Sequence, residues 1–315
     1  MGAHAATKIL LSVHGAFLAT GLVLVLDTTI PKDHLSAFSA VYVSLNLLSA
    51  LVVTAYALTM RGRERASWLL LGAAVICWNL ASLYLNIAVV PGDTPDSLTL
   101  ADIAFLGFIP LALAGLLLRL PPRIGQRSVA QQIDGIAAAL AAAALSAAIV
   151  LETVMANATG RTAETIVNAA YPLGDALLIG IVVATFALNH WRADRASVLV
   201  GAGIVSFWVA DSGFALLDAT GSYSPPVLID LGWPLSTLLF AAAARRAATH
   251  PARRWSDAPN PIADVLSPIL FALIGLGTLA TAAITQLHPV AVVLATLSLL
   301  AMLLRLGLSL LENAR

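Results

Sequence analysis

Long apolar stretches alternate with short polar breaks along the whole chain, and ten of them approach the length of a bilayer crossing. They fall at Lys8–Leu26, Ser36–Met60, Ala66–Val90, Leu98–Leu118, Gln131–Val154, Ile166–Leu188, Ala196–Leu217, Val227–Ala244, Val265–Leu287 and Val290–Leu311. A hydrocarbon core takes about 20 residues of helix, and a backbone in lipid must satisfy its own hydrogen bonds. The pattern therefore predicts an all-α integral membrane protein, a bundle of about ten transmembrane helices. It reads as a single membrane domain over 1–315, with helices 1–2 at 8–60, three hairpins at 66–118, 131–188 and 196–244, and helices 9–10 at 265–311.

Charge placement gives these helices a direction. With the amino terminus in the cytoplasm, Lys8, Arg61, Arg63, Arg65, Arg119, Arg123, Arg127, Arg192, Arg195, Arg245, Arg246, Arg253, Arg254, Arg305 and Arg315 all face inward. Only Lys32 and Arg161 of the 17 basic residues are left outside, which is the bias that sets membrane topology. Both termini are expected to be cytoplasmic. The outer loops, such as Pro91–Asp96 and Asp218–Tyr223, are too short to form a binding domain. Whatever the protein senses or moves must reach it at or within the membrane.

Composition agrees: 59% of residues are hydrophobic, 11% are charged, and mean hydropathy is +0.90, against about 25% charged in soluble domains. The single cysteine, Cys77, excludes an internal disulfide and a cysteine-based metal centre. It reads as a small core residue. No cleavable signal peptide is expected, because no small-residue cleavage site follows the first apolar run.

Three segments repeat in the same orientation: Phe108-Ile109-Pro110-Leu111, Tyr171-Pro172-Leu173 and Trp233-Pro234-Leu235. Each places an aromatic residue shortly before a proline. The helices before the first and third also match, with Trp78, Ala81-Ser82 and Tyr84 against Trp208, Ala210-Asp211-Ser212 and Phe214. The hairpins read as parallel repeats, unlike the inverted repeats of many secondary transporters. Pro110, Pro172 and Pro234 are expected to kink their helices, since proline removes a backbone donor.

The residues most expensive to place in lipid are Asp102, Asp134, Asp175, Asp211 and Asp230. Asp134 lies near the cytoplasmic start of its helix, beside the basic loop Arg119–Arg127. The other four fall at mid-membrane or above, where no basic residue is available. They must be protonated, bind a cation, or accept hydrogen bonds from Trp78, Trp208, Trp233, Tyr171 and Ser/Thr neighbours. Two readings stand side by side: neutral acids that hold helices together, or an outward-facing site for a small polar or cationic ligand. No catalytic motif is present. An aspartyl-protease pair of Asp175 and Asp211 is disfavoured, because Leu173-Gly174-Asp175 lacks the glycine pattern of that class. Only His14 of the six histidines lies clearly within a span, so neither a two-histidine haem site nor another metal site is expected.

Several motifs occur in a telling order: Ala101-Asp102-Ile103-Ala104-Phe105-Leu106 before Pro110-Leu111; Ile133-Asp134-Gly135-Ile136-Ala137; and Tyr171-Pro172-Leu173-Gly174-Asp175-Ala176-Leu177-Leu178. Then come Ala210-Asp211-Ser212-Gly213-Phe214, Thr220-Gly221-Ser222-Tyr223, Asp230-Leu231-Gly232-Trp233 and His250-Pro251. From Trp78 to Pro251 the chain resembles the multi-pass amino-terminal membrane module of bacterial cyclic-di-GMP signalling proteins. Ser82 stands where that family often has an acid. The resemblance implies a sensory input module in a bacterial inner membrane, without enzymatic activity of its own. It also implies a cytoplasmic output domain (GGDEF/EAL, PAS or kinase), in cis or as a partner.

In this reading the candidate site comprises Asp102, Asp175, Asp211, Asp230, Trp78, Trp208, Trp233 and Tyr171. The last helix, with Arg305, Leu308 and Leu311, would carry the signal; it continues to the carboxyl end without a stop, as if cut in its interior. A homodimer is a further expectation from the family's output chemistry. The lipid bilayer is the one partner expected from composition; no nucleic-acid partner is expected, and no cofactor is named. The competing expectation is a ten-span drug/metabolite-type secondary transporter using the same acids.

Overall fold

A computed structural model describes residues 3–26, 35–88, 99–120, 128–156, 162–223, 227–250 and 260–313. Lys32, the loop Pro91–Asp96, Arg123, Arg127, Arg161, Arg253, Arg254 and Arg315 lie outside the described residues. The described residues form ten α-helices: α1 (Ala3–Leu26), α2 (Leu35–Thr59), α3 (Gly62–Ala88), α4 (Leu100–Leu117) and α5 (Val129–Ala156), then α6 (Thr162–Ala187), α7 (Arg195–Ala219), α8 (Gly232–Thr249), α9 (Pro261–Ile284) and α10 (Pro289–Asn313). A 3₁₀ turn, Leu228–Leu231, precedes α8. No strand occurs among the described residues.

Among the described residues, eight helices contain a stretch long and apolar enough to cross a membrane, all except α1 and α8. In α1 the apolar stretch is the shorter Thr7–Val23. α8 is 18 residues long and ends in Arg245 and Arg246. The chain is an all-α, multi-pass membrane protein.

The main departure from the sequence reading is the start of α8, five residues later than expected. The apolar run Val227–Leu231 is a separate turn, and Pro234 stands in the first turn of α8. A first-turn proline has no intrahelical hydrogen bond to lose. Pro234 is therefore not a kink residue. Pro110 and Pro172 do lie inside α4 and α6, and Pro268, absent from the expected set, lies inside α9.

The chain divides into two compact units. The first holds α1–α4, α7, the 3₁₀ turn and α8, with the opening turns of α6 (162–167). Within it α3 packs on α2 and α4, α8 packs on α2 and α7, and α1 packs on α8, α2 and the turn. Small residues allow the backbones to meet, as lipid-embedded packing requires. A Cβ on Gly232 would lie 2.8 Å from the Ala210 Cβ and 2.9 Å from the Ser206 carbonyl oxygen. The Ser206 hydroxyl donates to the Gly232 carbonyl at 2.7 Å, tying α7 to α8. On the other side Ser67 of α3 donates to the Gly115 carbonyl of α4 at 2.9 Å.

The second unit holds α5, the body of α6, α9 and α10. Its centre is an alanine face on α5, with Ala137, Ala138, Ala141, Ala144 and Ala147 buried. α10 lays Ala291, Ala295 and Ser298 into that unit's interior, and Ser298 donates to the Ala137 carbonyl at 3.0 Å. One cluster joins Ala138 and Ala141 to Phe271 of α9, with Val183 and Trp191 beside them. The leucines on the outer sides of α9 and α10 remain exposed, the surface expected of helices solvated by lipid.

Candidate functional site

Within the first unit, α7 presents Phe207, Asp211 and Phe214 at intervals of four and three residues, on one helical face. Asp211 is 9% exposed and accepts a hydrogen bond from the Trp233 indole Nε1 at 2.6 Å. No basic side chain pairs with it among the described residues. The 3₁₀ turn supplies the second acid. Asp230 accepts from the Val227 backbone N–H at 2.8 Å and from the Tyr223 hydroxyl at 2.9 Å.

Aromatic rings connect the two carboxylates. Phe214 meets Tyr223 edge-on at 4.9 Å and Trp233 at 6.2 Å between centroids. Trp233 lies 5.9 Å from Trp78 of α3, and Trp78 contacts Phe105 at 4.3 Å and Phe207 at 4.6 Å. Phe207 stacks on Phe108 of α4 at 4.2 Å. One continuous ring array thus spans α3, α4, α7 and α8, with one acid hydrogen-bonded to Trp233 and another to Tyr223. From α2, Tyr42 lies within electrostatic reach of Asp211, Asp230 and Tyr223 and is hydrogen-bonded to Asn46.

Asp230 and Tyr223 precede α8 and lie outside the spanning stretches. Burial pushes the Asp230 carboxyl above its ordinary value, partly opposed by the bonds from Val227 and Tyr223. Burial also raises the Tyr223 hydroxyl, and the neighbouring Asp230 charge raises it further. Both shifts follow from withdrawing ionised groups from water. A site of this kind favours an added positive charge, whether a proton or a cation. Among the described residues no group of three or more His, Cys, Asp or Glu is placed to hold a metal ion.

Four of the eight expected site residues, Asp211, Asp230, Trp78 and Trp233, come together here. Asp102 caps a helix. It sits in the first turn of α4 and accepts from the Thr99 backbone N–H at 2.8 Å, while Thr99 accepts from the Ala101 N–H at 3.2 Å. That is a reciprocal helix cap. Asp175 is buried and Tyr171 half-buried on the part of α6 that belongs to the second unit. Trp208 is half-buried on α7, whereas its neighbour Phe207 is the α7 ring that meets Trp78.

Asp134 pairs with Arg305 of α10, Nε to carboxylate oxygen at 3.2 Å. Leu308 is half-buried and Leu311 exposed further along α10. Tyr42, Phe105, Phe108, Phe207, Phe214 and Tyr223 were not among the expected site residues. The spacing Phe207-Asp211-Phe214 is the signal that identifies two of them.

No family model, no curated protein and no solved structure matches this chain.

Proposed function

We propose that the chain is a membrane-embedded sensory or regulatory input module, and that the Asp211–Trp233 pair and its ring array form its stimulus site. A buried carboxylate without a basic partner, held by a single indole N–H, carries this reading. Intramembrane acids are costly and mark functional pathways. A cation or proton arriving at Asp211 loosens the bond to Trp233, and the ring array transmits that change to α3, α4 and α8. The motif order from Trp78 to Pro251 supports a signalling role, with cyclic-di-GMP turnover controlled by a cytoplasmic GGDEF/EAL, PAS or kinase output domain, in cis or as a partner. Ten crossings with both termini in the cytoplasm of a bacterial inner membrane, parallel hairpin repeats and a homodimer belong to the same proposal.

The test is Asp211→Asn in the native membrane. Cyclic-di-GMP levels are expected to change while insertion and abundance stay normal; unaltered output removes this acid from the mechanism. The competing reading, a secondary transporter, draws on the buried Asp175 of α6. Proton-driven uptake into vesicles, abolished by Asp175→Asn, would establish it instead.

A further inference from the structure

The turn that follows α6 is strained. Arg192 N–H donates to the Asn189 carbonyl at 2.9 Å, and both residues between them, His190 (φ 51°) and Trp191 (φ 59°), have left-handed backbones. Glycine and asparagine normally fill such turn positions; a side chain as bulky as tryptophan rarely does. The turn is tied back to its own helix, His190 N–H donating to the Ala187 carbonyl at 3.0 Å and Trp191 N–H to the Phe186 carbonyl at 2.8 Å. Strain of this kind persists only where the surroundings hold it in place.

Three holds come from elsewhere in the second unit. Trp191 stacks on Phe271 of α9 at 6.0 Å between centroids, and the Asn260 side-chain nitrogen donates to the His190 carbonyl at 3.3 Å. The third hold is a 2.7 Å bond between the Gln131 side-chain nitrogen of α5 and His190 Nε2. The cap of α5 fixes its direction. The Ser128 backbone N–H can only donate, and it reaches Gln131 Oε1 at 3.2 Å, while the Ser128 hydroxyl accepts from the Gln131 N–H at 3.2 Å. With its oxygen engaged in this capping box, Gln131 turns its NH₂ group to the ring, and His190 Nε2 must accept. The closed turn therefore holds a neutral imidazole with its hydrogen on Nδ1.

We propose that this turn is a pH-sensitive latch, closed on the neutral imidazole of His190 and opened as that ring takes a proton from water. A hydrogen on Nε2 sets N–H against N–H across the contact with Gln131, and turning the amide to accept it breaks the cap at Ser128. His190 is buried in the closed turn, so a charge there would also lie away from water. Proton uptake therefore goes with opening: the Nε2–H bond forms as the ring leaves Gln131, and the strain at His190 and Trp191 is released. Because the closed turn admits only the neutral ring, closure is complete above the ordinary histidine range and is lost as pH falls. The charged groups around the latch are Arg192 and Asp194 of the turn, Asp134 of α5 with its partner Arg305 of α10, and Asp264 in the first turn of α9. The turn lies outside the spanning stretches of α6 and α7, and α7, the helix that carries Asp211, starts three residues after Arg192. The latch is independent of the stimulus site proposed above, because every residue in it belongs to the second unit.

The experiment is NMR of the full chain in lipid nanodiscs with ¹⁵N-labelled histidine and fluorinated tryptophan. The His190 and Trp191 signals are assigned by their loss in His190→Asn and Trp191→Phe. At about pH 8, above ordinary histidine titration, His190 is expected to be neutral with its hydrogen on Nδ1. From about pH 6.5, the ordinary histidine value, down to about pH 5, the Trp191 fluorine signal should pass to an open form. The ratio of open to closed should rise about tenfold per pH unit, as one proton per opening requires. Asparagine tolerates a left-handed backbone and takes no proton, so in His190→Asn the Trp191 signal should ignore pH. In Gln131→Glu a carboxylate accepts from both Ser128 and the imidazolium, and the turn should stay closed over the same range. Should either variant fail to fold, the His190 tautomer and the Trp191 response of the unaltered chain still decide. A ring protonated at Nε2 at the alkaline end overturns the assigned bond. A Trp191 signal constant over the range, or one that shifts equally in His190→Asn, overturns the latch.

Discussion

In the first unit the bond from Trp233 satisfies the buried carboxylate of Asp211. Trp233→Phe keeps the ring but deletes the N–H, leaving a buried oxygen without its donor at 2.6 Å. Such a loss costs about 1–3 kcal/mol, whereas replacing both partners with apolar groups costs less. Thermal unfolding in nanodiscs should show Trp233→Phe clearly destabilised and Trp233→Phe/Asp211→Leu milder than the single variant. A double variant worse than either single one would mean that the pair does not carry this energy. Asp102 shows what residue-level reading can and cannot recover. The pattern Thr99-x-x-Asp102 is a capping signature present in the sequence, and the structure forms that cap. Tyr42 carried no such signal, because its electrostatic reach to Asp211 and Asp230 depends on how α2 packs on α8.

Among the elements, α10 is the best defined by its neighbour. α5 and α10 run antiparallel, since Ser298 meets Ala137 and, further along α10, Arg305 meets Asp134 earlier on α5. An alanine face brings the backbones close, and the ion pair fixes the register at one end. Both partners of that pair are largely covered, at 26% and 19% side-chain exposure. Breaking it from one side leaves a partly desolvated charge. In a double-mutant cycle of Asp134→Asn and Arg305→Gln, the coupling should fall at about 0.5–3 kcal/mol, the range for groups in contact. A coupling near zero would show that the alanine packing alone seats α10. Periodicity and length made most helices legible, because lipid demands continuous apolar stretches. The start of α8 was not: Val227–Leu231 is as apolar as the helix that follows, and hydropathy does not separate a 3₁₀ turn from an α-helix.

Across the whole molecule the two units differ in kind. The first carries the two acids and the ring array; the second is built on alanine contacts with an ion pair at one end. This division follows packing and could not be read from hydropathy, which treats every apolar helix alike. Orientation, by contrast, is a sequence property, because it follows the asymmetry of basic residues between loops. The described turn after α6 contains Arg192 and borders Arg195, and the described turn after α7 contains Ser222 and Tyr223. The charge bias assigns the first turn to the cytoplasm and the second to the outside. In a Cys77→Ser background, which removes the chain's single native thiol, Ser222→Cys should react with a membrane-impermeant maleimide in intact cells. Arg192→Cys should react only after lysis. The reverse labelling would place Asp230 and Tyr223 on the cytoplasmic side. The acids and the ring array would then face cytoplasmic solutes.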